Sequence, residues 1–460
     1  MSAGALPCGP LVAYYGDDFT GASAVMEVMA FAGLPSVMFL TPPTPAELAR
    51  FADCRCIGLA GISRARSPAW MDEHLPPAFA ALAGLGAPLV HYKVCSTFDS
   101  APQIGSIGCA ADIGARLMPG SFIPMIVGAP DMGRYQLFGQ LFAAIDGVGY
   151  RLDRHPVMAR HPVTPMDEAD LCRHLSRQTT RRMGLIDFPS LTSGRGTKRL
   201  RALAGADAPV IAIDVLDTAS LVAAGRLIWE HRADGRFVLG SQGVEYALVA
   251  YWRAEGLLPA MTARPQLPRA GQIAVISGSC SPVTARQIEH AGRDGFAPIR
   301  MDATQALEAR AWQAEIARAT QEALDVLAAG RSPLVFSASG PDDPAVAGLA
   351  RAIARADADV ADVNTGIGRG LGQVLSALVS RGGIRRAVVA GGDTSGEASH
   401  VLGIHALSAI ADIATGAPLC RAHAATAPFD GLALALKGGQ IGKPDYFSAV
   451  RNGGPLEGRN

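Results

Sequence analysis

The chain returns again and again to one local pattern: a short apolar, β-rich run, with stretches of helical spacing between the runs. The runs are Leu11 to Tyr15, Ser36 to Leu40, Ile57 to Gly61, Pro88 to Tyr92, Ile123 to Ala129, Val210 to Val215, Phe237 to Gly240, Ile273 to Ser277, Leu334 to Ala338 and Ala387 to Gly391. Helical spacing marks Gly21 to Ala32, Asp167 to Gln178, Val283 to Ala291, Trp312 to Ala329 and Gly368 to Val379. A strand covered on both faces has no solvated side, so it reads as a continuous apolar run; parallel neighbours in turn require helical crossovers. The pattern predicts an α/β fold of two domains, each with a largely parallel sheet flanked by helices.

With 460 residues the chain exceeds any single small binding module. The clearest break is Thr262 to Gly271, where two prolines and a loss of periodicity precede a new strand-turn-helix unit. The expected domains are therefore 1–265 and 270–460. The 41 Lys+Arg balance the 41 Asp+Glu, so phosphate recognition has to be local and nucleic acid is not an expected partner. Eight scattered cysteines without a Cys-x-x-Cys pair suggest neither a disulfide framework nor a zinc cage. Together with the absence of a signal-like start or a long apolar run, this leads to the expectation of a soluble cytoplasmic protein with no membrane association.

Four clusters at strand ends carry the chemistry. Asp17 and Asp18, in Gly16-Asp17-Asp18-Phe19-Thr20-Gly21, stand where a strand gives way to a helix, with Thr20 as the expected N-cap. Paired carboxylates there suit hydroxyls or magnesium, the plain alternative being one Asp that caps a helix. Lys93, Ser96 and Thr97 follow another strand and suit a carboxylate and hydroxyls, unless the segment is only a solvated loop. Arg64, beyond the strand Ile57 to Gly61, offers a second cation. In the second half, Ser277, Ser279 and Ser281, then Gly391, Gly392, Asp393 and Thr394, then Gly438 and Gly439, form three small-residue turns. Backbone N–H groups in such turns approach an anion closely, so three in one half point to a phosphate cleft.

Other motifs fail on spacing. Gly438 to Lys443 lacks P-loop spacing, and Gly366 to Gly372 does not meet G-x-G-x-x-G and reads as the start of a helix. His155 and His161 each precede proline without a carboxylate at ligand spacing, as in a structural loop.

Taken together, these motifs resemble the four-carbon acid sugar kinase family. The likeness rests on Gly16-Asp17-Asp18-Phe19-Thr20-Gly21-Ala22, Ser63-Arg64, Tyr92-Lys93 with Ser96-Thr97, Gly133-Arg134, His161-Pro162-Val163-Thr164-Pro165-Met166, Ser277-Gly278-Ser279, Gly391 to Gly396 and Leu436-Lys437-Gly438-Gly439. It spans nearly the whole chain. The resemblance implies an N-terminal sugar-acid domain, a C-terminal nucleotide domain, and chemistry in the cleft between them. It also implies ATP and Mg2+ as cofactors, a small sugar acid as the other partner, and transfer to a terminal hydroxyl.

Cys95-Ser96-Thr97-Phe98-Asp99-Ser100 is similar to the branch acting on 3-oxo acids such as 3-oxo-tetronate, while Gly105-Ser106-Ile107-Gly108 keeps the branched 3-oxo-isoapionate open. On this reading the acid meets Asp17, Asp18, Arg64, Lys93, Ser96 and Thr97, and Asp393 or Asp17 moves the proton or holds the metal. The alternatives are a kinase of the D-threonate or erythronate type and a sugar-acid sensor without turnover. Oligomeric state is left open.

Overall fold

The computed structural model describes residues 5–145, 147–161, 163–260 and 264–455. It divides into two compact units, Met1–Met38 with Pro42–Thr262, and Phe39–Thr41 with Ala263–Asn460. Residues 262 and 263 of the expected boundary segment, and Pro162 of the His-Pro loop, lie outside the described residues. No helix among the described residues is long and apolar enough to cross a membrane.

In the first unit the strands are β1 (Val12–Gly16), β2 (Ser36–Phe39), β3 (Cys56–Ala60), β4 (Leu89–Lys93), β5 (Ile123–Ile126), β6 (Arg134–Leu137), β7 (Gln140–Ile145), β8 (Val148–Arg151), β9 (Met183–Ile186), β10 (Val210–Ile213) and β11 (Phe237–Gly240). The large sheet runs β2-β3-β1-β4-β11-β5-β10-β9, while β6, β7 and β8 form a separate antiparallel sheet. From β3 to β9 every pairing is parallel. Its central strands are buried along their whole length, which is why they read as largely apolar runs.

The second unit contains β12 (Ala274–Ser277), β13 (Phe296–Arg300), β14 (Ser332–Phe336), β15 (Arg386–Ala390), β16 (Ile404–Ala411), β17 (Leu419–Ala424) and β18 (Ala433–Lys437). Their order is β13-β14-β12-β15-β18-β17-β16, parallel as far as β18 and antiparallel beyond it. Ile273, Val275, Phe296, Leu334, Val388 and Phe447 belong to one core around β12.

Each sheet has a point where the chain reverses its direction of travel. After β1 the helix Ser23–Phe31 leads to β2 on one side, whereas after the adjacent β4 the helix Ile107–Leu117 leads to β5 on the other. β12 and β15 repeat the arrangement: the helix Pro282–Arg293 leaves toward β13, and the helix Gly392–Val401 toward β16. Adjacent connections that leave on opposite sides open a crevice at the carboxyl ends of the strands, where open α/β sheets bind ligands.

Three local expectations are corrected. Thr20 is not the N-cap: the helix begins at Ser23 after Ala22 without a side-chain cap, because the Thr20 hydroxyl donates to Asp18 Oδ2 at 3.1 Å. Of Asp167 to Gln178 only Leu171–Ser176 is helical; Asp170 accepts from the Arg173 N–H and sets the start. Gly366 to Gly372 is not the start of a helix but the interior of Val360–Ser380, capped by Asp359. Glycine inside a helix costs about 1 kcal/mol against alanine, and here it permits close packing. A Cβ on Gly368 would sit 3.0 Å from Glu397 Cβ, and one on Gly372 would sit 2.9 Å from Ala398 Cα, both on the helix Gly392–Val401.

Candidate functional site

At the first crevice, β3, β1 and β4 lie side by side and end in register, Gly16 opposite both Ala60 and Lys93. This ordering brings residues far apart in sequence into one cluster. Arg64, on the 3-10 turn Ser63–Ala65 after β3, donates Nε to Asp17 Oδ2 at 3.0 Å and Nη2 to Asp17 Oδ1 at 2.6 Å. The same Nη2 donates to Asp18 Oδ1 at 2.6 Å, and Lys93 Nζ lies 4.0 Å from that oxygen. Asp18 Oδ2 accepts from the Gly21 N–H at 3.1 Å. A Cβ on Gly21 would fall 2.0 Å from Asp18 Oδ1 and 2.6 Å from Lys93 Nζ, so a side chain there would push the two charged ends out of this arrangement.

The two carboxylates differ. Asp17 is 2% exposed and Asp18 26%. Burial pushes the Asp17 carboxyl upward against the pull of Arg64. Burial acts on Asp18 too, but Arg64, Lys93, the Gly21 N–H and the Thr20 hydroxyl outweigh it and hold that carboxyl low. Asp18 is thus a solvent-facing anion on a rigid mount, and Asp17 a buried anchor for Arg64.

The loop after β4 is pinned beside them. The Thr97 hydroxyl donates to Asp99 Oδ1 at 2.8 Å, and buried Phe98 has φ +59°, a left-handed conformation unusual for a bulky side chain. Ser100 holds that turn, donating to the Phe98 carbonyl at 3.0 Å and lying 2.9 Å from His174 Nε2. Ser96 sits half-buried at its bend. Backbone strain held this firmly is found at ligand sites.

At the second crevice lies a cavity of about 660 Å3. Gly278, Ser279, Gly391, Gly392, Asp393, Thr394 and Gly439 make its polar end, and Val346, Leu349, Ile353, Val360 and Ile367 an aliphatic part of the lining that also includes Asp357 and Asn364. Two helices aim their N-termini at the polar end: Pro282–Arg293, capped by Ser281 Oγ, which accepts from the Val283 N–H, and Gly392–Val401. Gly391, at φ +121°, holds a conformation suited to glycine, and its N–H donates to the Lys437 carbonyl at 2.9 Å. Ser281 Oγ donates to the Gly439 carbonyl at 2.7 Å and ties two turns together. Of the nine residues expected at this site, Ser279, Gly391, Gly392, Asp393, Thr394 and Gly439 line the cavity, whereas Ser277, Ser281 and Gly438 are not among its lining residues. The aliphatic part was not anticipated, because its residues look like ordinary core in sequence. Lys437 stands in the motif Leu436-Lys437-Gly438-Gly439 but was not among the expected site residues.

A Cβ on Gly278 would lie 2.2 Å from Thr394 Oγ1. Gly278→Ala is expected to push the two turns apart and weaken ADP binding at least tenfold, as read by calorimetry. Unchanged ADP affinity would remove the polar end from the site.

The residues match two family descriptions, a sugar-binding N-terminal domain over 12–248 and a nucleotide-binding C-terminal domain over 274–447. The chain is 54% identical over 452 residues to a 3-oxo-isoapionate kinase of Paraburkholderia graminis, covering 98% of this chain and 96% of the relative. A 3-oxo-tetronate kinase of Pseudomonas savastanoi pv. phaseolicola is 31% identical, covering 95% of this chain and 96% of that one. The crystal structure of a Salmonella typhimurium LT2 protein superposes with a TM-score of 0.76 at 25% identity, covering 96% of this chain and 98% of that chain. A two-domain α/β sugar-acid kinase is the class these findings define. The chain belongs to the four-carbon acid sugar kinase family.

Proposed function

We propose that the protein transfers the γ-phosphoryl group of ATP to the terminal hydroxyl of a short 3-oxo sugar acid, with 3-oxo-isoapionate ahead of 3-oxo-tetronate. The observation that carries this reading is the 54% identity to a 3-oxo-isoapionate kinase along 98% of the chain. The two crevices supply matching chemistry. Residues 1–265 hold the acid, whose hydroxyls meet Asp18, Ser96 and Thr97 and whose carboxylate pairs with Lys93. Arg64 is already committed to Asp17 and Asp18, so it orients these carboxylates and is not the main contact for the acid.

Residues 270–460 hold the nucleotide, with its phosphates on the glycine turns and its base among Val346, Leu349, Ile353, Val360 and Ile367. This fits the cavity, whose glycine turns offer N–H donors and whose remaining lining is largely aliphatic. No group of three His, Cys, Asp or Glu side chains forms a metal cage among the described residues. Magnesium would therefore sit chiefly on the phosphates, with Asp393 as the nearest protein carboxylate in the cavity wall, and would neutralise charge in the transferring group. The chain's own part is to align hydroxyl and phosphate and to accept the hydroxyl proton, for which Asp393 and Asp17 are the candidates. A cytoplasmic setting, where ATP is available, suits this activity.

Incubation with MgATP and a panel of 3-oxo and 3-hydroxy sugar acids tests the proposal through ADP release. The fastest turnover is expected with 3-oxo-isoapionate. Preference for D-threonate or erythronate would replace the acceptor, and no ADP with any acid would favour a sensor.

A further inference from the structure

Lys437 ends β18 and is completely buried. Its Nζ donates to Thr284 Oγ1 at 3.0 Å. That hydroxyl lies 3.0 Å from Ser279 Oγ and donates to the Gly439 carbonyl at 3.1 Å, and both Ser279 and Gly439 line the polar end of the cavity. The amine is thus one hydroxyl away from the cavity wall. No ion pair joins it to any described residue. The helix Gly392–Val401 carries Asp393, Glu397 and His400, the helix Pro282–Arg293 carries Arg286, Glu289, His290 and Arg293, and the adjoining β15 and β17 carry Arg386, Arg421 and His423. None of these groups is paired with the amine, and burial pulls it down to about 7.

A buried amine without a counter-anion favours its neutral form, and a polyanion arriving at the turns above it reverses that preference. We propose that Lys437 takes up one proton from solvent when a nucleotide's phosphates settle on the glycine turns, the ammonium then balancing their charge through Thr284 and Ser279. Lys437 is a positioning residue here, and the inference rests on the nucleotide reading of the second unit. The sign follows from linkage. The amine of the free protein is mainly neutral above pH 7 and charged in the complex, so binding consumes a proton and weakens as pH rises. Well below pH 7 the amine is already charged and little is taken up.

Calorimetric titration of the full chain with ADP at pH 8, where the diphosphate is fully ionised, in Tris and in HEPES measures the uptake directly. An uptake approaching one proton is expected, with ADP affinity falling up to about tenfold between pH 8 and 9. Lys437→Met should bind at least tenfold more weakly and take up no proton. Lys437→Arg, charged throughout, should bind without uptake and with flat affinity across that range. ADP binding by the unaltered protein with no proton uptake, or uptake that persists in Lys437→Met, overturns the inference. No heat with ADP at all would instead overturn the nucleotide reading, and this inference with it.

Discussion

Asp393→Asn is expected to lower kcat by about 10²- to 10⁴-fold while leaving ADP affinity nearly unchanged, the size of effect typical of a lost general base. Asp393 is exposed in the first turn of the helix Gly392–Val401 and lines the polar end of the cavity. A carboxylate at that N-terminus favours the helix but repels an incoming phosphate, so its presence there calls for a proton or a metal to face. Steady-state kinetics with calorimetry separate the two. A metal role predicts weaker MgADP binding that returns to the unaltered value without magnesium. Normal kcat and affinity would make Asp393 a turn former and pass the proton to Asp17. Asp17 is the weaker base on geometry, since both its oxygens already accept from Arg64.

Arg64→Ala should destabilise the protein strongly, because it leaves Asp17 as a buried carboxylate without its bidentate partner. Such a loss costs about 3–5 kcal/mol, a fall in Tm on the order of 10 °C for a unit of this size. The pH dependence carries a sign. Burial already raises the Asp17 carboxyl, and removing the guanidinium raises it further. A raised folded value gives stability that is full below the unfolded value of about 4 and lost as pH rises through the folded one. The variant should therefore recover stability on acidification, its deficit smaller at pH 5 than at pH 8 in scanning calorimetry. Arg64→Lys should restore only part, since an ammonium cannot make the two-pronged contact. A deficit below 1 kcal/mol, or one equal at both pH values, would show that Arg64 does not anchor Asp17.

The parts of this fold that could be read from sequence are those where burial leaves no ambiguity. β1, β4, β12 and β15 are covered on both faces, and a short, largely apolar run has few other meanings. β6 to β8 escaped because Arg134–Leu137 and Val148–Arg151 are short, mixed in polarity and half-exposed, so neither period stands out. β9, β13 and β16 to β18 were missed as well. At the first site the residue types were legible but their partnership was not. The grip of Arg64 on Asp17 and Asp18 depends on the order β3-β1-β4, which no local pattern encodes. Thr20 has the chemistry of a cap, and only the position of Asp18 tells which partner it takes.

The glycine-bearing helix Val360–Ser380 has a consequence for what the cavity accepts. Its first turns carry Val360 and Ile367 into the apolar wall, while Gly368 and Gly372 let its backbone lie against the helix that begins with Gly392, Asp393 and Thr394. The two helices therefore lie against each other where glycine leaves out a side chain, a spacing that a methyl group on either glycine would widen. The width of the cavity between this helix and the glycine turns thus depends on packing that a methyl group would break, and Gly368→Ala or Gly372→Ala is expected to change which ligands it admits.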